Sequence, residues 1–309
     1  MTDFLFTDTH FGTKNHSLVW FRLQKDFIYK QFIPAIKNHP GDVRVIHLGD
    51  VFDSRSGINL LIAKGVRKIF EDIAGIENVK EMIVIAGNHD FYSPVNDECC
   101  TIETLLNNIP KLRLVIREIY ETETEAFIPW YEFEKLEHLP DKIIYTHADI
   151  TNGSFNGAAK PIYSGHIHWP KVKPNYNIYN LGSCYPLTFA DSNSLRYFYI
   201  KTDTALNSIA NEHSIKFWRI YNDEIFHKTP FKEHDYIEIY IDQELLTKQE
   251  YQNQISELRA QYKNLWVIPQ RGEVEVQTVD VTMDMESIIE SHIPENLHDK
   301  FIAIKQTLN

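Results

Sequence analysis

Short apolar runs alternate with helical segments through residues 4–190, and this alternation limits the possible folds more than any other feature of the sequence. The runs lie at 4–6, 43–48, 82–85, 143–145 and 162–163. Their length and apolar content are typical of buried strands. Residues 19–36 and 58–73 place apolar side chains at helical spacing. The pattern therefore predicts an α/β domain.

Each apolar run is followed directly by residues of the types that bind metal ions. They are Asp8 and His10 after the first run, Asp50 and Asp53 after the second, Asn88, His89 and Asp90 after the third, His147 after the fourth, and His166 and His168 after the fifth. Because the carboxyl ends of parallel strands lie along one edge of a sheet, such residues converge in one crevice. A lone Asp-x-His or His-x-His is common by chance, but five segments in order predict a single site.

The residue types indicate what this site does. Asp, Asn and His without Cys suit Mn²⁺, Fe or Zn²⁺, and about seven ligands are too many for one ion and right for two. Two divalent ions about 3.5 to 4 Å apart can bind a phosphate and stabilise charge on the attacking and leaving oxygens. One carboxylate must bridge the ions, and an imidazole that binds neither would serve as an acid. We therefore expect hydrolysis of a phosphate ester.

The pattern changes after the polar stretch 191–194, where we place a domain boundary. Residues 236–241 alternate as a half-buried strand, and residues 243–262 are typical of a charged helix. From residue 283 we expect two short amphipathic helices, separated by Pro294. The predicted domains are 1–191, a small α+β capping domain at 192–270 and a helical tail at 271–309. The tail either packs on its own domain or docks on a partner.

The chain is acidic, with 31 Lys/Arg, 43 Asp/Glu and a net charge of −12. This balance excludes a general basic field that would hold DNA. Residues 201–309 contain 11 Lys/Arg and 19 Asp/Glu, so most of the excess acid lies outside the first domain. The three cysteines form no disulfide framework or CxxC motif, and we find neither a signal peptide nor an apolar stretch of 18 residues. We expect a soluble cytoplasmic protein without membrane contact.

The order Asp-x-His, Gly-Asp, Gly-Asn-His-Asp, a single His and Gly-His-x-His resembles the calcineurin-like metallophosphoesterases. Residues 8–12, 49–53, 128–130 and 181–191 are similar to the repair nucleases of the SbcD and meiotic recombination 11 type. Among these, the chain most resembles the recombination endonuclease subunit of tailed phages, which would place it in the host cytoplasm. The resemblance is strong over residues 3–191 and thin beyond. It implies a two-sheet sandwich with helices on both outer faces.

The same resemblance implies an activity and partners. It indicates a DNA exonuclease and endonuclease, dependent on two divalent ions and most of all on Mn²⁺, that acts in recombination and double-strand-break processing. The family works as a homodimer with an SMC-like ABC ATPase of the SbcC or Rad50 kind, and we expect the same here. DNA would then be held mainly by the ATPase.

Residue roles also follow from the resemblance. Asp8, His10 and His168 would hold the first ion, Asn88, His147 and His166 the second, and Asp50 would bridge them. His89 would contact the scissile phosphate, with Asp90 orienting its ring. Cellular relatives carry a second catalytic histidine where this chain has Asp53, which leaves the cut polarity and the exonuclease to endonuclease balance open. Asp53 either serves catalysis or is a favourable charge at a helix start.

Other interpretations remain open. A phosphatase or cyclic-nucleotide phosphodiesterase would use the same two-ion core without DNA contacts or an ATPase. A catalytically silent scaffold is also compatible with the fold, although such scaffolds usually lose ligands and all seven are present. Trp130 and Tyr185 line the site or belong to the core, and we favour the core. Three lysines near the last motif either neutralise phosphates or are solvated charges, namely Lys160, Lys171 and Lys173.

Overall fold

Three β-sheets organise the chain in the computed structural model, which describes residues 1–93, 98–138, 141–151, 158–191, 194–227 and 231–270. The strands of these residues are, in chain order, β1 Thr2–Phe6, β2 Val43–His47, β3 Val79–Ile85, β4 Leu112–Val115, β5 Tyr120–Glu121, β6 Glu125–Ile128, β7 Ile143–Thr146, β8 Ile162–Ser164, β9 Lys171–Lys173, β10 Ile178–Asn180, β11 Tyr197–Lys201, β12 Leu206–Ala210, β13 Phe217–Tyr221, β14 Tyr236–Asp242 and β15 Leu265–Gln270. All five apolar runs are strands, as predicted. The predicted helical tail at 271–309 lies outside the described residues.

The sheets combine a parallel centre with antiparallel edges. The first sheet has the order β12-β11-β1-β2-β3-β4, in which β1 to β4 are parallel and β11 and β12 are antiparallel additions. The second has the order β5-β6-β7-β8-β10-β9, with β6, β7, β8 and β10 parallel. The third consists of β13, β14 and β15, all parallel.

The first two sheets pack face to face around an apolar layer. Leu5 and Ile83 of the first sheet are fully buried in this layer, together with Phe127 and Tyr145 of the second. The rings of Phe127 and Tyr145 stack with centroids 4.8 Å apart. Since successive side chains of a strand point to opposite faces, each strand also presents a second apolar face outward. The predicted two-sheet α/β sandwich is confirmed.

Helices cover the outer face of the first sheet. Residues 18–37 form one long segment, in which a π-helical turn at Ile28–Phe32 joins the α-helices Leu18–Phe27 and Ile33–Lys37. The second helix is Leu60–Ala74, and Asn59 caps its start by accepting a hydrogen bond from the Leu61 amide. Both predicted helices are therefore present. They bury their apolar faces against the outward side chains of β1, β2 and β3.

The second sheet differs from the expectation. We predicted helices on both outer faces of the sandwich. In the part of the chain that the structure describes, the apolar cluster on the outer face of the second sheet is formed by its own strands and adjoining loops, and no α-helix contributes to it. The 3₁₀ helix Trp130–His138 contacts β6 and β7.

No helix among the described residues has the length and apolar content that crossing a bilayer requires.

The sandwich continues past the domain boundary that we predicted at 191. Strands β11 and β12 follow it in sequence, yet β11 pairs with β1 and β12 with β11, so the sandwich extends to Ala210. The polar composition of residues 191–194 therefore does not mark the end of the sandwich. The α+β unit that follows consists of the third sheet and the helix Gln249–Gln261, which begins later than predicted because a 3₁₀ turn at Leu245–Thr247 precedes it.

A buried ionic cluster joins the two sheets at the end opposite the carboxyl ends of their parallel strands. The Arg44 guanidinium donates from Nε to Asp3 Oδ1 at 2.9 Å and from Nη1 to Glu125 Oε2 at 2.6 Å. Lys201 Nζ lies 3.1 Å from Asp3 Oδ2, and the Tyr145 hydroxyl donates to the same oxygen at 2.9 Å. Burial acts to raise the pKa of Asp3, but Arg44 and Lys201 lower it below its ordinary value.

Replacing Arg44 by methionine removes the cation that Asp3 and Glu125 share and leaves both carboxylates in the interior. We expect the free energy of unfolding, measured by urea denaturation, to fall by about 3 kcal/mol, the usual cost of removing one partner from a buried ion pair. Lys30→Met is the control, since Lys30 is 59% exposed in its pair with Asp26 and such pairs contribute little. Equal losses in the two variants would contradict a structural role for the cluster.

Candidate metal centre

The seven expected ligands converge where the carboxyl ends of β1, β2 and β3 meet those of β7 and β8. The first sheet supplies Asp8, His10, Asp50 and Asn88, and the second supplies His147, His166 and His168. Carboxylates and imidazoles form three overlapping groups here, and one of these groups also includes His89. Within each group the candidate ligand atoms lie within 4.8 Å of one another. The residues that follow the strands thus come together across two facing sheets rather than along the edge of one.

The first group consists of Asp8, His10 and His168. The Nε2 atoms of the two imidazoles face each other at 3.2 Å. Asp8 Oδ1 lies 3.9 Å from Nε2 of His10 and 3.7 Å from Nε2 of His168. Ligands bound about 2.1 Å from one ion lie roughly 3.0 to 3.5 Å from each other. The three donors thus have nearly the spacing of a shared coordination shell.

The second group consists of Asn88, His147 and His166. Asn88 Oδ1 lies 3.2 Å from His147 Nε2 and 3.0 Å from His166 Nδ1. Asp50 lies between the two groups, with Oδ2 at 3.3 Å from His147 Nε2 and 3.6 Å from His10 Nε2. This is the position that a bridging carboxylate requires. The all-O/N donor set fits two divalent ions of the Mn²⁺, Fe or Zn²⁺ type.

Four of the seven ligands adopt left-handed backbone conformations, which non-glycine residues rarely do. Their φ angles are 51° at Asp8, 42° at His10, 55° at Asp50 and 77° at His166. Such conformations cost of order 1–3 kcal/mol each and persist where the surroundings enforce them. Here the amides of Asp8 and His10 donate to the carbonyls of Gly49 and Asp50 at 3.0 and 3.1 Å. The strain is therefore held by bonds between the ligand loops themselves.

Glycines before two ligands allow the loops to approach this closely. Gly49 has a φ of 102°, and a Cβ on it would lie 2.3 Å from His147 Nδ1. A Cβ on Gly87 would lie 2.2 Å from Asp50 Oδ1. Either contact is too short for real atoms, so any side chain at these positions would displace a ligand. The Gly-Asp and Gly-Asn pairs of the sequence are thus packing requirements of the site.

Asp90 has a different role from the one expected. We predicted that it orients the His89 ring. Instead its buried carboxylate accepts four backbone N–H bonds, from Asp50, Val51, Phe52 and Gly87, at 2.9 to 3.3 Å. The side chain of Asp90 points into the turn of its own loop and into the loop after β2, and it ties the two loops together. The residue type was compatible with both roles, and only the positions of the amides distinguish them.

Asp53 takes the place expected for Asp90. Its backbone carbonyl lies 2.7 Å from His89 Nδ1 and accepts the hydrogen of that nitrogen. Its carboxylate Oδ1 lies 3.3 Å from His10 Nδ1, on the opposite side of the ring from the Nε2 that faces His168. Burial acts to raise the pKa of Asp53, but the contact with His10 lowers it below its ordinary value. Asp53 therefore touches a ligand and does not itself join the ligand groups.

His47 contacts two of the loops that carry candidate ligands, a role that the sequence did not indicate. It is fully buried, its Nδ1 accepts the Gly49 amide hydrogen at 3.2 Å, and its Nε2 lies 3.1 Å from Thr9 Oγ1. Thr9 Oγ1 in turn donates to the Val51 carbonyl at 3.0 Å. Burial lowers the pKa of His47 to about 3, with the charge of His147 acting in the same direction. The ring is therefore neutral and links the loops that follow β1 and β2.

Trp130 and Tyr185, which we assigned to the core, have different environments. Tyr185 is buried and its hydroxyl donates to the Gln24 carbonyl at 2.9 Å, as a core residue does. Trp130 is half-buried, and its ring centroid lies 4.8 Å from that of His166. The sequence contains an indication of this position, because Trp130 closely follows strand β6, as the candidate ligands follow their strands.

The two imidazoles of the second group differ in protonation. Burial acts to lower the pKa of His147, but the carboxylates of Asp50 and Asp8 raise it to about 9. Burial and the neighbouring His147 lower the pKa of His166 to about 4. At neutral pH and without a metal ion, His147 is thus a cation beside Asp50, whereas His166 is already neutral and ready to bind an ion.

Comparisons with known proteins contribute little to the assignment. No protein-family model matches this sequence, and no curated protein matches it. A solved structure that does match is a conserved uncharacterized protein from Streptococcus pneumoniae, described as a predicted phosphoesterase. It is 14% identical, the match covers 69% of this chain and 91% of that one, and the TM-score is 0.29. A similarity of this size carries no functional assignment.

The chain therefore combines a two-sheet α/β sandwich with Asp, Asn and His ligands in two groups that share one carboxylate. Such a donor set could hold divalent metal ions.

Metal binding should depend on pH through His147. An ion can bind its Nε2 only after the proton has left, and the pKa of about 9 means that the proton is present at neutral pH. We expect the Mn²⁺ affinity to rise between about pH 6.5 and 8.5, by about tenfold per pH unit for each proton displaced. Calorimetry in buffers of different ionisation enthalpy measures the released proton. A pH-independent affinity without proton release would contradict the assignment of His147 as a ligand.

Proposed function

We propose that this protein is a metal-dependent DNA nuclease that hydrolyses phosphodiester bonds. The observation that carries the proposal is the position of Asp50. Its carboxylate lies between the two ligand groups and accepts a hydrogen bond from the backbone amide of His89. Two divalent ions bound there would polarise the phosphate and lower the pKa of the attacking water. Asp8, His10 and His168 would hold one ion, Asn88, His147 and His166 the other, and Asp50 both.

We assign His89 to the substrate, although it also belongs to one of the candidate metal-binding groups, with His10 and Asp50. Its amide donates to Asp50 Oδ1 at 2.8 Å, and its Nδ1 is engaged by the Asp53 carbonyl. Its ring stands nearly perpendicular to that of His10, with centroids 4.9 Å apart. Because Nδ1 is occupied, Nε2 is the nitrogen that can reach a phosphate bound next to Asp50. In the imidazolium form it would stabilise the charge of the transition state and deliver a proton to the leaving oxygen.

Asp53 acts in this proposal as a positioning residue. Its carboxylate Oδ1 lies 3.3 Å from His10 Nδ1. A proton drawn to that nitrogen would leave His10 Nε2 as a lone-pair donor. The Asp53 carbonyl accepts from His89 Nδ1 and fixes that ring. A carboxylate behind a ligating histidine raises the basicity of that ligand. Asp53 thus controls two rings of the site without contacting the phosphate. The histidine of cellular relatives at this position would act differently, which is consistent with a different balance of exonuclease and endonuclease activity.

DNA is the substrate that we infer, although the chain is acidic. Bound divalent ions would locally offset the carboxylates of the site. Away from the site, the net charge of −12 opposes binding of a polyanion. Lys171 and Lys173 lie on the edge strand β9 and supply two cations at most. The affinity for DNA must therefore come mainly from a partner or from contacts that do not depend on charge.

Substitution of His89 tests the nuclease proposal. With Mn²⁺, the protein should cut a DNA oligonucleotide, and His89→Gln should cut it about 10²- to 10⁴-fold more slowly while still binding two ions. Metal content is measured by atomic emission, and cleavage by gel electrophoresis. The matched control is His227→Gln, because His227 is exposed and, among the residues that the structure describes, forms a hydrogen bond only from its amide to the Glu224 carbonyl. Equal cleavage by all three proteins would refute the proposal.

A phosphatase or cyclic-nucleotide phosphodiesterase is the alternative with the same ligands. It would hydrolyse p-nitrophenyl phosphate or a cyclic nucleotide rapidly and leave DNA intact under the same conditions. The two activities are compared in one preparation, so the outcome does not depend on how much protein is folded or loaded.

We further propose an ABC-type ATPase as the partner, in a complex that contains two copies of this chain. The support is the resemblance of the sequence together with the acidic charge, which calls for a cationic surface on another protein. The tail at 271–309 is the segment that we assign to this contact. Deleting residues 283–309 should abolish copurification with the ATPase and leave hydrolysis of a short oligonucleotide by the isolated chain unchanged. Undiminished copurification would refute the tail assignment.

A further inference from the structure

Two aromatic side chains border the candidate metal centre on the side of the second ligand group. The Trp130 ring lies 4.8 Å from the ring of His166 and 6.1 Å from that of His147, measured between centroids. Phe133 continues the surface, with its ring 5.5 Å from Trp130 and an angle of 32° between the two planes. The Phe133 side chain is 42% exposed. An apolar surface thus extends from a metal ligand outward to solvent.

The position of this surface is set by backbone contacts. The Trp130 amide donates to the Ala86 carbonyl at 3.0 Å, next to the loop that carries Asn88. The following residue turns inward, since the ring of Tyr131 packs on Phe91 at 4.7 Å. The 3₁₀ helix therefore presents Trp130 and Phe133 together while Tyr131 anchors it to the core.

We propose that Trp130 and Phe133 stack an unpaired nucleobase next to the scissile phosphate. The inference rests on the proposed nuclease function and specifies its substrate, a single-stranded segment or an end whose last base is free to leave the duplex. In a nucleotide one sugar separates base and phosphate, so a phosphate held between the ligand groups brings its neighbouring base to the edge of the site. Every base has a π-face, which makes such stacking tolerant of sequence.

The charge of the chain adds a second reason. A protein with a net charge of −12 gains little from the phosphate backbone, which usually supplies most of the affinity for DNA. Stacking on aromatic rings is independent of that charge and contributes about 1–3 kcal/mol per base. The aromatic surface thus provides a means of holding the substrate that the acidic composition does not oppose.

The test compares a fluorescent oligothymidylate with an oligomer of the same length whose nucleotides lack bases. Binding is measured by anisotropy with Mn²⁺ in the His89→Gln background, where cutting is slow, and cleavage is measured in the wild-type background. The thymidylate should bind about tenfold more tightly than the abasic oligomer, in line with one stacked base. Phe133→Leu should remove most of this preference, and Trp130→Leu should do the same. Because Trp130 also packs on the core, the exposed Phe133 is the decisive position.

The matched control is Tyr221→Leu, which removes an aromatic ring that is 47% exposed and stacks on Tyr240 rather than on a candidate ligand. It should retain the full preference for thymidylate. Equal affinity of the Tyr221 control protein for both oligomers, or an unchanged preference in Phe133→Leu, would overturn the inference. Failure of the nuclease proposal is recognised separately, because the wild-type protein would then cut neither oligomer.

Discussion

The hydrogen bonds of the Asp90 carboxylate underlie the arrangement of the site. This buried side chain accepts the amides of three consecutive residues of the loop after β2 and the amide of Gly87 after β3. A buried carboxylate without partners would cost several kcal/mol. Burial and the charge of Asp50 raise the pKa of Asp90 to about 7, and the amides of Gly87 and Phe52 act in the opposite direction. The four hydrogen bonds keep the two loops at a fixed separation. The left-handed backbone of Asp50 and the approach of the His89 amide to its carboxylate both depend on that separation.

Hydrogen bonds between loops also hold the other parts of the site in place. Neutral His47 accepts an amide of one loop and reaches the hydroxyl of Thr9 in another. The Asp8 carboxylate accepts the amide of His166 at 3.2 Å across the gap between the sheets. Each ligand loop is thus bonded to at least one other, so the donor atoms are held in place before any ion binds. Such rigidity is what a site needs if its geometry, rather than its flexibility, is to favour the transition state.

At the opposite end of the strands, buried ion pairs join the two sheets. Arg44 joins Asp3 of the first sheet to Glu125 of the second, and all three are satisfied by one another. The two ends of the same strands therefore carry very different electrostatics. One end is a compact cluster of paired charges, whereas the other gathers carboxylates and imidazoles that find no lysine or arginine at contact distance among the described residues. Divalent ions would supply the positive charge that this end lacks.

The order of short apolar runs and the residue types at their ends were enough to predict the α/β class, five of the strands and the seven side chains that come together, because each of these side chains closely follows a strand. The sequence did not indicate which groups these side chains contact. Whether Asp90 or Asp53 orients His89 depends on where amides and carbonyls of distant loops lie, and both residues are simply aspartates in the sequence. Likewise, the polar stretch at 191–194 has the composition of a linker, and only the pairing of β11 with β1 shows that the sandwich continues beyond it. Residue type and spacing are local properties, whereas backbone hydrogen-bond partners are assigned by packing.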